Sequence, residues 1–153
     1  MLASGEIIPD LAAPDQTGRS RGLRELLGER GGIVYFYPKD NTPGCTLEAN
    51  DFQSLSGAFA QAGYTVIGIS RDSVKSHAGF CAKHGLGFTL LSDGEGALCE
   101  AFGVWQEKTM CGKTSMGIVR TTFVVDAAGA VRRVYPNVKT KGHAAQVLAD
   151  LGG

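Results

Sequence analysis

The chain predicts an α/β fold, a mixed sheet between helical layers in a three-layer sandwich, on three observations. Gly32-Ile33-Val34-Tyr35-Phe36-Tyr37 is a continuous apolar and aromatic run, as expected of a strand covered on both faces. Helix-like and strand-like segments alternate after it, the pattern of strands laid side by side under packed helices. Near the end, two apolar runs flank Asp126-Ala127-Ala128-Gly129, a hairpin signal that adds antiparallel strands.

Taken in order, residues 9–22 carry the turn formers Pro14-Asp15 and Thr17-Gly18 and predict a short N-terminal hairpin. Leu23, Leu26 and Leu27 predict one short helix ended near Gly28. After the 32–37 strand and the Lys39–Gly44 loop, Cys45, Ala49, Phe52, Leu55 and Phe59 fall on one stripe and predict a helix over 45–62. Gly63 stops it, and 64–70 reads as the next strand. Asp72 or Ser73 can cap a helix running to about Lys83 and closed by Gly85. A short strand at 88–91, a short helix at 96–102, strands at 121–125 and 131–135 and a last helix over 142–151 complete the chain. With no repeat, linker or low-complexity tract, residues 1–153 read as one domain.

Composition narrows the function. Fifteen basic and fifteen acidic residues balance, and no block of like charge occurs, so nothing favours nucleic acid or a membrane surface. No apolar run reaches the roughly 18 residues of a membrane span, and the N-terminus lacks a basic start followed by a long apolar segment. The expectation is a cytoplasmic protein acting on something small. The four cysteines, at 45, 81, 99 and 111, form no Cys-x-x-Cys pair, which weakens a zinc ribbon and a thioredoxin-type dithiol.

Cys45 carries the chemistry. It follows the first strand and opens an amphipathic helix, where the first-turn N–H groups and the helix dipole favour an anion. The thiolate is the reactive form of a side chain whose free pKa is about 8.5. Attack on a peroxide also needs donors for the charge that grows on the leaving oxygen. Thr42 can bring its hydroxyl to the sulfur or the peroxide, or serve as an ordinary N-cap ahead of Pro43. Pro38 terminates the strand, and its ring could shield the thiolate. Arg120, between Ile118-Val119 and the apolar strand, is the candidate cation, its fixed fork able to hold sulfur and peroxide together; the alternative is a surface arginine. Glu48 reads either as a first-turn acid on the helix dipole or as the salt-bridge partner that orients Arg120.

Together these residues resemble a known family. Pro38-x-x-x-Thr42-x-x-Cys45 resembles the peroxiredoxin active-site motif, and the longer string from Tyr35 to Ala49 is similar to the peroxiredoxin Q, or bacterioferritin comigratory protein, branch. Phe102-Gly103-Val104-Trp105, Gly112-Lys113-Thr114, Gly117–Phe123 and Val138–Ala144 extend the likeness over nearly the whole chain. The resemblance implies a thioredoxin-like fold and a thiol peroxidase reducing hydrogen peroxide and alkyl hydroperoxides. Cys45 would be the peroxidatic cysteine, passing through a sulfenic acid, and Pro38, Thr42 and Arg120 fall on the family's other active-site positions. No metal, haem or flavin is expected. Electrons would come from thioredoxin or a similar dithiol, and the protein would be a monomer.

The chain departs from the branch at Asn50, where many members carry a second cysteine. Another thiol must then resolve the sulfenic acid, or none. Cys81 is the expected one, because a second group within the family places its resolving cysteine in that helix; the alternative is a small apolar filler. Disulfide geometry would require local unwinding at both cysteines. Cys99 reads as a buried inert thiol, and Cys111 as an exposed loop thiol that is the alternative resolver. His77, Cys81 and His84 share a helical face and offer three zinc donors without a marked fourth; equally, the histidines could help ionise Cys81. Three rivals stay open: Cys45 acting alone with an external thiol, a general disulfide oxidoreductase, and a redox sensor that oxidises once and passes the signal to a partner.

Overall fold

A five-stranded mixed sheet carries the molecule. The computed structural model describes residues 1–152. Its central strand, β3 (Gly31–Phe36), is buried at every position, as its unbroken apolar run requires. β4 (Tyr64–Ser70) and β5 (Thr89–Ser92) continue the sheet in parallel on one side. β8 (Thr121–Asp126) and β9 (Val131–Tyr135) continue it antiparallel on the other, joined by the expected hairpin. Two small hairpins stand apart: β1 (Ala12–Pro14) with β2 (Ser20–Gly22), and β6 (Trp105–Met110) with β7 (Lys113–Ile118).

Side chains alternate across the sheet with period two, so the strands feed two cores. Val34 and Phe36 of β3, Ile67 and Ile69 of β4, and Phe123 and Val125 of β8 face one core. That core is closed by α4 (Ala97–Phe102), the N-terminal segment and a 3-10 turn at Arg24–Leu26. Ile33 and Tyr35, Val66, Leu90 and Val124 face the other. Four helices cover it: α1 (Pro43–Ser54), α2 (Ser56–Gln61), α3 (Val74–His84) and α5 (His143–Leu151). The sandwich is therefore lopsided, with one face carrying most of the helices.

Local chemistry accounts for the boundaries. Asp15 Oδ1 accepts from the Thr17 and Arg19 amides, and Gly18 takes a φ of +86°, which folds the first hairpin. Ser73 Oγ caps α3 by accepting from the Ser76 amide, and Gly85 closes that helix in the left-handed conformation. Asp93 takes the Leu98 and Cys99 amides at the start of α4. Two expectations need correction. The helix over 45–62 is two helices, α1 and α2, broken at Leu55, whose φ of −99° and ψ of 4° leave the helical region. Residues 105–118, which carry no strand expectation, form the β6–β7 hairpin. Its β7 residues from Lys113 to Met116 are exposed, so no buried face printed an alternation into the sequence.

Candidate active site

The site lies at the carboxyl edge of the sheet, where β3 ends and α1 begins, the crevice in which α/β proteins hold their chemistry. Thr42 takes an extended conformation at the N-cap, Pro43 occupies the first helical position, and Cys45 sits in the first turn of α1. The stripe that buries Ala49 and Phe52 turns the Cys45 side chain inward, leaving it 1% exposed.

Arg120 reaches this point through sheet register. Thr121 of β8 pairs with Phe36 of β3, so the residue before β8 lies beside the loop that leaves β3. Its Nη2 donates to Cys45 Sγ at 3.3 Å and its Nη1 to Glu48 Oε1 at 2.7 Å. The guanidinium is largely covered and Glu48 fully buried. Arg120 therefore places a donor and a positive charge at the sulfur, and the N-terminal end of α1 adds its dipole on the same side. Of the two readings of Glu48, the structure selects the ion pair. Glu48 lies beyond the first turn of α1, because the helix starts at Pro43. Burial pushes its carboxyl up to about 7, although the Arg120 charge and hydrogen bond pull it down. Its other oxygen, Oε2, has no hydrogen-bond partner among the described residues.

The Thr42 hydroxyl donates to the Lys39 carbonyl at 2.9 Å and caps no amide of α1, so the N-cap expectation is corrected. With its proton committed there, its lone pairs are turned to act as an acceptor, the complement of a peroxide O–H. A Cβ at residue 44 would lie 3.5 Å from Nη2 and 3.7 Å from the Thr140 methyl, ordinary contact distances, so Arg120 packs directly against the entry to α1. Pro38 is half-buried and lines a surface cavity of about 410 Å³ with Arg71, Trp105, Lys108, Met116 and Ile118.

The other thiols divide by environment. Cys81 lies in α3, shares the apolar cluster that holds Cys45, and is a free thiol. Burial, and then the nearby Asp40 charge, push it up to about 11. Cys99 is fully buried on the inner face of α4, its thiol pushed well above the ordinary range by burial and by Asp93. Cys111 is exposed at the turn between β6 and β7, with a φ of +53°.

The His77, Cys81 and His84 face does not converge. His84 packs edge-on to Phe80 with ring centroids 5.1 Å apart, while His77 turns inward to Asp40 at 2.7 Å. Among the described residues, the metal-capable atoms that meet belong to Asp40, Asp72 and His77, and each already has a hydrogen-bond partner in the protein. Sequence reasoning misses Asp40. A buried aspartate inside the active-site loop is the available signal, and only its position next to Asn41-Thr42 hints at it. His143 is missed likewise. Its Nε2 lies 2.8 Å from Thr122 Oγ1, and burial with the Arg120 charge holds it down at about 4, so it is neutral at physiological pH.

The chain is similar in sequence and fold to known proteins. The AhpC/TSA family model matches residues 4–134. Peroxiredoxin Bcp of Xanthomonas campestris pv. campestris is 54% identical over 119 residues, covering 78% of this chain and 74% of that protein. Peroxiredoxin Bcp of Escherichia coli K12 is 43% identical over 147 residues, covering 96% and 94%. A solved structure of the Xanthomonas campestris bacterioferritin comigratory protein, described for its alkyl peroxide reduction activity, superposes with a TM-score of 0.90 at 45% identity and covers 98% of each chain. A thioredoxin-like sandwich with one thiol at a helix N-terminus under an arginine fork, matched nearly end to end by such relatives, makes this chain a member of the AhpC/TSA family, a thiol-dependent peroxidase of the peroxiredoxin Bcp branch.

Proposed function

We propose that Cys45 is the peroxidatic thiolate, that its sulfenic acid is resolved by Cys81, and that the resulting disulfide is reduced by thioredoxin or a similar dithiol. The observation that carries the reading is the Arg120 fork, with one nitrogen on Cys45 Sγ and the other anchored on buried Glu48.

In the first step the Cys45 thiolate attacks one peroxide oxygen. An S–O bond forms, the O–O bond breaks, and the leaving alkoxide or hydroxide takes up a proton to depart as alcohol or water. Arg120 donors stabilise the negative charge as it passes from sulfur to the leaving oxygen. Thr42, its own proton held by Lys39, accepts the peroxide O–H and aligns the O–O bond with the sulfur. In the second step the Cys81 thiolate attacks the sulfenic sulfur: the S–S bond forms, the S–O bond breaks, and the expelled hydroxide takes a proton from solvent to leave as water. Exchange with an external dithiol then restores both thiols.

Hydrogen peroxide and alkyl hydroperoxides are the substrates of this proposal. The alkyl peroxide activity described for the Xanthomonas campestris protein supports the second class. The same reading makes the protein a cytoplasmic monomer, for which sedimentation velocity and cell fractionation are the checks.

Peptide mapping by mass spectrometry after one equivalent of peroxide, with free thiols blocked before digestion, tests the assignment. A linked Cys45–Cys81 peptide is expected. Cys45 trapped as sulfenic or sulfinic acid beside a blocked Cys81 would move resolution to an external thiol, and a Cys45–Cys111 link would move it to the hairpin. An unmodified Cys45 would sink the assignment of the peroxidatic thiol.

A further inference from the structure

We propose that the buried Asp40–His77 pair is a latch that makes the loop bearing Thr42 and Cys45 and the helix bearing Cys81 open together. The inference rests on the reading above, in which these two cysteines must meet.

The pair is deeply placed, with Asp40 3% and His77 0% exposed. Asp40 Oδ1 accepts from the Tyr37 hydroxyl at 2.6 Å, and Oδ2 accepts from His77 Nδ1 at 2.7 Å and from Ser76 Oγ at 2.8 Å. On its other side His77 Nε2 lies 3.0 Å from the Leu91 carbonyl. Both ring nitrogens thus face oxygens of the protein, one on the Asp40 side chain and one on the backbone. Burial alone would raise the Asp40 carboxyl, but the hydrogen bonds from His77 and Tyr37 outweigh it and hold that carboxyl below the usual carboxylate range. The contact therefore holds a buried carboxylate against the imidazole ring. A backbone tie runs beside it, from the Asp40 amide to Asp72 Oδ2 at 2.9 Å, just ahead of α3.

The two partners belong to the two segments that must rearrange. Asp40 is in the loop that ends at Thr42 and Cys45, and His77 lies one turn before Cys81 in α3. If α3 unwinds at Cys81 and His77 leaves for water, Asp40 stays behind as a buried carboxylate stripped of one of its hydrogen bonds. Leaving a buried polar group short of a partner costs more than the bond itself contributes. The loop must follow, so opening is concerted and neither cysteine is released alone. The closed latch also bears on Cys81 directly, since burial and the Asp40 charge both oppose its ionisation.

The experiment is amide hydrogen exchange on the reduced protein, comparing residues 39–47 with 74–84. Ser73→Ala removes the cap of α3 while leaving in place every side chain that bonds Asp40. It is expected to speed exchange about fivefold in both segments, the effect of one lost cap transmitted across the latch. In an Asp40→Asn or His77→Gln background the same substitution is expected to act on α3 alone; two backgrounds are used in case one does not fold. Exchange that rises only in α3 in the native background, or a loop response that persists without the pair, would overturn the latch. Peptide mapping of the same samples separates this from the resolver assignment. Coupled segments without a Cys45–Cys81 link would spare the latch and sink Cys81 as resolver. A link formed by uncoupled segments would do the reverse.

Discussion

Glu48 and Arg120, 72 residues apart, are joined at 2.7 Å in a setting where Glu48 has no exposure to solvent. A bond between a buried carboxylate and one guanidinium nitrogen fixes the plane of the whole group, which leaves Nη2 aimed at Cys45 Sγ. The glutamate thus determines where the positive charge sits without touching the sulfur.

Arg120→Lys is expected to lower kcat/KM for peroxide by roughly a hundredfold or more, the range seen when one donor to a developing anion is lost. An ammonium is a single point and cannot bond Glu48 and the sulfur through a planar fork. Steady-state kinetics with excess reductant, backed by a folded circular dichroism spectrum, is the check. A lysine variant with full activity would remove the fork geometry from the mechanism.

Glu48 makes stability depend on pH. Its carboxyl is pushed from an ordinary 4.5 to about 7 by burial in the folded protein. Between those values the folded state keeps a proton that the unfolded chain gives up. Stability contributed by this group is therefore fully present below about pH 4.5 and falls as pH rises toward 7, by at most about 1.4 kcal/mol per pH unit. Glu48→Gln removes the slope. The variant's unfolding free energy in urea, relative to the parent, should rise across this window and level off above it. A constant difference would mean that Glu48 is already ionised throughout.

Much of this site is legible in the amino-acid order alone, and the reason is local. The burial of β3, the caps at Ser73 and Gly85, and the Thr42-Pro43-Gly44-Cys45 entry to α1 are all written in consecutive residues. What escapes such a reading is non-local or unmarked. The break at Leu55 is marked only by Ser54, Ser56 and Gly57 inside a continuing apolar stripe, and the β6–β7 hairpin lacks the buried face that prints an alternation. Asp40 and His77 are 37 residues apart, and neither alone distinguishes a buried pair from a loop aspartate and a helix histidine. The Thr42 hydroxyl goes to the Lys39 carbonyl because the extended N-cap conformation turns it back over its own loop.

The pH dependence of resolution distinguishes an open from a closed Cys81. In the folded protein its thiol is pushed up to about 11 by burial and by Asp40, whereas an unwound α3 returns it toward the ordinary 9.0. The rate of Cys45–Cys81 disulfide formation, followed by rapid quench and mass spectrometry, should rise with pH and level off near the ordinary thiol value. A rate still climbing toward 11 would mean that Cys81 attacks from the intact helix.

Gly68→Ala is expected to destabilise without touching the chemistry. Gly68 pairs with Tyr35 in the parallel β3–β4 ladder, and the tyrosine ring lies across it. A Cβ there would sit 2.6 Å from Leu90 Cδ2 and 2.9 Å from Tyr35 Cζ. Tyr35 cannot retreat freely, because it stacks on Phe52 at 4.7 Å. Overpacking of this kind costs about 1–3 kcal/mol, or roughly 2–12 °C in the thermal midpoint at this chain length. An unchanged midpoint by calorimetry would show that the ring has room to shift.

Asn50→Cys asks whether the choice of resolver is a matter of distance or of opening. Residue 50 is exposed on α1, five positions after Cys45, and nothing in the apolar core excludes a thiol there. In an intact helix the two side chains point in different directions, so bonding Cys45 to residue 50 requires only α1 to unwind. Bonding to Cys81 requires α3 to open as well. If opening limits resolution, the new thiol should capture most of the sulfenic acid after one equivalent of peroxide, and peptide mapping should show the Cys45–Cys81 link as the minor product. The variant should also resist overoxidation better, since its sulfenic acid is trapped sooner. A product still dominated by Cys81 would mean that the folded protein already holds that thiol where the sulfenic sulfur emerges, and that α3 is the readier of the two helices to give way.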